Sequence, residues 1–271
     1  MTVQLNSLHC VSFGVVFELT ADSEVVLAQM LENAPLGTQV FALPSQGAQH
    51  FTLLRAGVGS RHLLKVDDQV VAEGPDLQHI LEHLASELRT HVTGNAPDRV
   101  FVHAGVVGLR GHALVLPGAS FAGKTTLVAE LVRAGAVYYS DEYAVIDEHG
   151  LVHPYPRNLQ MRVAGGREQR SIAVECLNGG AGDAPLPASQ VVFTQYVESA
   201  CWSPEPMSDG MAVLELLRHS IPVQRTPARV MATLVRMMES ATAVGSPRGE
   251  ASETARLLLS AMTIGVGRPS V

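Results

Sequence analysis

The stretch PGASFAGKTTL, Pro117–Leu127, constrains the fold of this chain more than any other. Gly118, Gly123, Lys124 and Thr125 satisfy the pattern G-x-x-x-x-G-K-[ST]. Such a loop works because glycines let the backbone curl until several N–H groups face one anion. The helix that follows adds the positive end of its dipole. On this reading Gly118, Ala119, Ser120, Phe121, Ala122 and Gly123 wrap the phosphates of a nucleotide. Lys124 supplies a cation, Thr125 a hydroxyl suited to Mg²⁺, and Thr126 a further hydroxyl. The flanks agree with the motif. HALVL reads as a buried strand running into the loop, and GKTTLVAELVRAG as a helix with Gly135 just past its end. A Gly-rich turn that binds nothing would not account for a lysine and hydroxyls opening a helix.

The neighbourhood narrows the chemistry. No base-reading N-K-x-D of a GTPase is present. Asp141 and Glu142 follow the loop helix at the end of VYYSDE, a strand expected to lie beside the loop strand. Two adjacent acids can divide labour, one holding a metal and one accepting a proton. Alone they would read as turn acids; beside a phosphate loop they read as part of its site.

The chain has 271 residues, of which 46% are apolar and 17% charged, enough to bury a core in one large or two small domains. Its net charge of -7 excludes the basic footprint of a protein that grips nucleic acid through phosphates. The three cysteines, Cys10, Cys176 and Cys201, form no pairing motif, and the N-terminus has no signal-peptide character. No apolar run is long enough to span a bilayer. A cytoplasmic protein without nucleic-acid or membrane partners is the expectation.

Before the loop, CVSFGVVFEL, TQVFAL, HFTLLRAG and RHLLKVDDQVVAEG read as strands, the last a hairpin turning at Asp67-Asp68. DSEVVLAQMLENA reads as a helix capped by Asp22. PDLQHILEHLASELRTHV carries one apolar helical face, and TGNAPDR breaks the chain into domains over residues 1–95 and 96–271. GLRG joins two strands as a hairpin. LNGGAGDAPLPAS reads as a mobile loop, SQVVFTQYVES as a strand, and DGMAVLELLRHS, TPARVMATLVRMMESATA and GEASETARLLLSAM as helices. HILEH fits an inverted zinc-protease motif, but its His and Glu belong to the polar face of a helix. Arg157, Arg162, Arg225, Arg229 and Arg248 are candidates for reaching a phosphate. Trp202, the only tryptophan, seals a surface or stacks a base.

VHAGVVGLRGHALVLPGASFAGKTTLVAELVRAGAVYYSDEYAVID resembles the catalytic core of the HPr kinase/phosphorylase family, itself similar to phosphoenolpyruvate carboxykinase. The resemblance is strongest from His103 to about Arg162. It implies an α/β P-loop kinase core with a mixed sheet, preceded by a small α+β domain. It implies ATP and Mg²⁺ as cofactors, Asp141 as catalytic base, Glu142 with Thr125 at the metal, and His103 and Lys124 at the reacting phosphate. Glu142 stands where founding members carry Asp, and their E-x-R-G-L-G stretch has no counterpart in LQMRVAGGREQ. HPr is therefore not the expected acceptor. A kinase of a protein or peptide serine is, with a homo-oligomer as a possible assembly. The alternative is a nucleotide-binding regulatory module that has lost transfer.

Overall fold

The computed structural model describes residues 5–42, 47–56, 61–119, 122–162 and 169–264, and the chain divides into two units, Met1–Asp98 and Arg99–Val271. The first unit runs β1 (Asn6–Ser12), β2 (Val15–Ala21), α1 (Glu24–Glu32), β3 (Gln39–Phe41), β4 (Gln49–Ala56), β5 (Arg61–Val66), β6 (Gln69–Gly74) and α2 (Leu77–Asn95). Its six strands form one sheet, ordered β3-β1-β2-β4-β5-β6, in which only β2 and β4 run parallel. Two-residue turns join β1 to β2 and β5 to β6. Phe13 and Asp67 accept positive φ there (47° and 52°), as tight hairpins demand.

Two expectations for this unit need correction. Asp22 does not cap α1. The cap is Ser23, and the Asp22 carboxylate instead accepts a hydrogen bond from the Arg55 backbone N–H across the sheet. The TGN triplet does not end α2, which continues to Asn95. Thr93 donates its hydroxyl to the Arg89 carbonyl, and Asn95 donates its amide to the His91 carbonyl, both at 2.7 Å. Both side chains bond back to the carbonyl four residues earlier, inside the helix. α2 buries Ile80, Leu81, Leu84, Leu88 and Val92, each contributing about 1.5–3 kcal/mol.

The second unit comprises β7 (Val100–Leu109), β8 (His112–Pro117), α3 (Lys124–Arg133), β9 (Val137–Ser140), β10 (Tyr143–Ile146), β11 (Leu151–His153), β12 (Leu159–Arg162), β13 (Gln169–Ile172), β14 (Leu186–Tyr196), β15 (Glu205–Met207), α4 (Asp209–Arg218), α5 (Pro227–Met238), β16 (Thr242–Arg248) and α6 (Ala251–Ile264). The main sheet is ordered β11-β10-β7-β8-β14-β16-β15, with β9 also on β7. β8, β14 and β16 are parallel, and the other pairings are antiparallel. The protein is therefore a mixed α/β structure with mixed sheets. β11 also pairs with β14, so the pairings of β7, β8, β14, β11 and β10 close into a ring.

The central strands are buried on both faces, which is why they read as continuous apolar runs. Val106, Val115 and Val191 face a core completed by α4 and α5, while Val107, Leu114 and Val192 face one completed by α3 and α6. The β7–β8 hairpin turns at Arg110-Gly111 with φ of 51° and 79°. α3 closes in a Schellman motif: the Gly135 N–H donates to the Val132 carbonyl and the Ala136 N–H to that of Leu131.

Three further expectations change. β9 does not neighbour β8; it pairs with β7, which separates them. The segment read as a mobile loop is fastened to β9: the Tyr138 N–H donates to Gly180 and the Gly182 N–H to Tyr138. The tail taken as helices alone contains β16, and β15 and the β12–β13 hairpin are also additional strands.

Gly150, in the turn between β10 and β11, has φ of 80°, and a Cβ there would lie 2.7 Å from the Met237 backbone nitrogen. Backbone cannot move aside as a flexible side chain can. Gly150→Ala is expected to cost about 2–4 kcal/mol, from left-handed strain and the clash together, read as a fall in the denaturant midpoint at unchanged slope.

Candidate functional site

The site is built where β8 and β9 end beside the middle of β7. Within β7 the residues from Val100 to Gly108 are buried except His103, which opens to solvent. The His103 N–H donates to the His219 carbonyl at 2.8 Å, and its own carbonyl accepts from Gly118 N–H at 3.2 Å. The strand backbone thereby ties the end of α4 to the start of the phosphate loop. The imidazole tilts against Tyr143, with ring centroids 5.0 Å apart. Although the residue is exposed, partial desolvation of its ring first, and then the Lys124 charge, hold His103 below its usual pKa. The same two causes lower His219.

Of the loop, Gly118, Ala119, Ala122 and Gly123 are described, while Ser120 and Phe121 lie outside the described residues. Gly123 caps α3 with φ of 81°, the left-handed conformation glycine tolerates. Its carbonyl accepts from Nη2 of Arg248 at 2.8 Å. Lys124 folds back so that Nζ donates to the carbonyls of Gly118 and Ala119, each at 2.8 Å. Its pKa is lowered by burial, against the pull of Asp141. The loop thus keeps one cation over its own mouth, with Thr125 half-buried and Thr126 exposed at the first turn of α3.

The acid pair sits in the turn from β9 to β10. Buried Ser140 makes that turn: its Oγ accepts from the backbone N–H groups of Glu142 and Tyr143 at 3.1 and 2.9 Å. This leaves the two carboxyl groups displayed in different directions. Thr125 and the Gln160 backbone N–H lie near enough to Asp141 to favour its charged form. The Tyr138 hydroxyl lies 2.9 Å from Asp141 Oδ1 and 2.8 Å from the Arg157 carbonyl, and its single proton serves one of them at a time. Burial raises the Asp141 pKa despite these donors. Glu142 turns to Arg157, whose Nη1 donates to Oε2 at 2.7 Å.

The chain matches no family model and no curated protein.

Sequence reading thus brings together His103, Gly118, Lys124, Thr125, Asp141 and Glu142, with Arg157 added as the partner of Glu142. It missed Tyr138, Ser140 and His219. The S-D-E order, a small hydroxyl before two acids at a strand end, was the available signal for Ser140. Tyr138 and His219 have no local signature; only the fold carries them to the site.

The other candidates lie elsewhere. Arg229 donates to the Thr226 hydroxyl at the start of α5, and the Arg225 N–H donates to the Pro222 carbonyl. The Arg162 side chain lies outside the described residues. Trp202 is partly buried against the core of α3 and α6. His79 and His83 are exposed on α2, their Nε2 atoms 3.2 Å apart. Among the described residues no three His, Cys, Asp or Glu side chains gather as a metal site. Cys10 is buried, which pushes its thiol up to about 11, and Cys176 and Cys201 are exposed; all three are free. No helix among the described residues is long and apolar enough to cross a membrane.

Proposed function

We propose that this chain is an ATP-dependent phosphotransferase of the HPr kinase-like type, moving the γ-phosphoryl group to a hydroxyl, in the first place a serine of a protein or peptide. One observation carries the reading: the Asp141 carboxylate of the β9–β10 turn lies close enough to the loop helix for Thr125 to favour its charged form and for Lys124 to respond to that charge. That proximity joins a phosphate cradle to a proton acceptor, which a loop serving only to hold nucleotide does not require.

The residues fit a Mg²⁺–nucleotide. Thr125, Asp141 and Glu142 offer hard oxygen donors. Few protein ligands are needed, because Mg²⁺ takes most of its shell from phosphates and water. When bound, the ion would neutralise charge across the β- and γ-phosphates. Thr125 and Glu142 are the residues to hold it, with Arg157 keeping Glu142 in place. Lys124, released from Gly118 and Ala119, is positioned to follow the γ-phosphate. The acceptor oxygen attacks γ-phosphorus in line, a new O–P bond forms, the bond to the β-phosphate oxygen breaks, and ADP leaves. Asp141 takes the hydroxyl proton, a role suited to a carboxyl whose affinity for protons is raised. His103 lies against the same turn to orient the acceptor or a phosphate oxygen.

The same nearness of Thr125 to Asp141 also favours a swapped division, in which Asp141 shares the ion and Glu142 takes the proton. Mg²⁺ titrations separate the two. Glu142→Gln is expected to raise the Mg²⁺ concentration for half-maximal turnover about tenfold, while Asp141→Asn leaves it unchanged; the reverse result exchanges the roles. The function itself is tested with γ-labelled ATP, Mg²⁺ and a panel of serine-containing proteins and peptides. Label recovered as phosphoserine supports it. ATP binding without ADP formation, whatever the acceptor, leaves only a nucleotide-binding module.

A further inference from the structure

The three parallel neighbours β8, β14 and β16 run in one direction, so their carboxyl ends form one rim. Pro117 ends β8 and delivers the phosphate loop. Tyr196 ends β14 and Arg248 ends β16, and the two face each other in register. In open α/β sheets the crevice outside such ends is where ligands sit. The loop accounts for the part of the rim above β8; the part above β14 and β16 has no assigned role.

The residues there are unusual for a strand end. Arg248 is 2% exposed, although arginine is rarely buried without an acidic partner. Its Nη2 donates to the Gly123 carbonyl and its Nη1 to that of Gly249. Nε has no hydrogen-bond partner among the described residues. The guanidinium carbon lies over the Tyr196 ring, 5.7 Å from its centroid. Tyr196 itself is 45% exposed, a large ring left open to solvent. It also borders the loop: a Cβ built on Gly123 would lie 3.7 Å from the Tyr196 Cβ. One guanidinium therefore joins the last glycine of the phosphate cradle to an open aromatic face.

We infer that Tyr196 is the base-stacking residue of the nucleotide site, with Arg248 covering one face of its ring and a purine base lying on the other. The inference rests on the loop holding a nucleoside triphosphate, as proposed above. A stacked base suits this geometry because the ring is fixed by Arg248, so little freedom is lost when the base arrives, and a guanidinium on one face of an aromatic ring is itself a favourable contact. Stacking reads size of π-surface more than hydrogen-bond pattern. The site should accept ATP and GTP within a few-fold of each other and prefer both to CTP.

The test compares ATP with inorganic tripolyphosphate, which carries the phosphates without the base. Dissociation constants are measured in Mg²⁺ for the parent, Tyr196→Leu and Tyr196→Phe, with melting temperatures checked for each. Tyr196→Leu is expected to weaken ATP about tenfold and to leave tripolyphosphate unchanged, while Tyr196→Phe stays within about twofold for both. The inference is overturned if Tyr196→Leu binds ATP like the parent, or if it weakens ATP and tripolyphosphate alike, which would make the ring a structural support of the loop. A parent that binds neither ligand defeats the phosphate-loop reading, and this inference with it.

Discussion

Lys124→Ala is expected to abolish productive nucleotide use, lowering phosphoryl transfer by about 10²–10³-fold and weakening ATP binding with it. The ammonium is held over the loop by two of its carbonyls at 2.8 Å, those of Gly118 and Ala119. Those carbonyls point a negative dipole at the place where phosphate oxygens would come, so removing the lysine leaves a cradle with the wrong sign. Fold stability should change little, because the ammonium spends its hydrogen bonds on a surface loop. Isothermal titration with ATP and a thermal melt check both halves. Undiminished affinity would mean that this loop does not hold phosphate.

Asp141→Asn separates holding from transfer. The amide keeps the shape and can still accept from the Tyr138 hydroxyl, but it cannot take a proton. Transfer is expected to fall about 10²–10⁴-fold, with ATP affinity nearly unchanged. The raised Asp141 pKa adds two consequences. Transfer requires the ionised carboxylate, so the acid limb of the pH–rate profile should lie above the ordinary aspartate range, near 3.9. For stability, a carboxyl raised on folding favours the native state in its protonated form. That contribution is full below the unfolded pKa and is lost as pH rises through the folded one. At neutral pH the charged Asp141 therefore weakens the fold, and D141N should melt higher than the parent. The gap should close on acidification toward pH 4. A variant that melts lower at neutral pH would deny the raised pKa; one that transfers normally would remove Asp141 from the base role.

What the sequence made legible is local chemistry. The β5–β6 and β7–β8 hairpins follow from two-residue turns, whereas the turn at Phe13-Gly14 that divides CVSFGVVFEL into β1 and β2 goes unread. The loop followed by α3 follows from glycine, lysine and a run of helix formers closed by Gly135. The failures are tertiary. The helical reading extends through Ala243 and VGSPR carries no reading, yet β16 forms because β14 pairs along its whole length. β15 covers it only from Ala243 to Gly245, so Pro247 falls where one neighbour suffices. β9 was expected beside β8, and no periodicity could reveal that β7 lies between them. The same holds for the site. Asp141 and Lys124 were readable from a motif, whereas His219 arrives from the end of α4 and Tyr138 acts through a hydroxyl on an otherwise buried strand.

The strand that presents the acids is saturated on both sides near the site. β7 takes one edge of β9, and Gly180 to Gly182 take the other through Tyr138. Among the described residues β9 thus leaves no free edge beside Asp141 on which an incoming strand could pair. In the proposed transfer, acceptor choice falls to side chains around the turn, His103, Arg157 and His219 among them. A short flexible segment presenting its serine end-on suits such a mouth better than an extended strand laid alongside it.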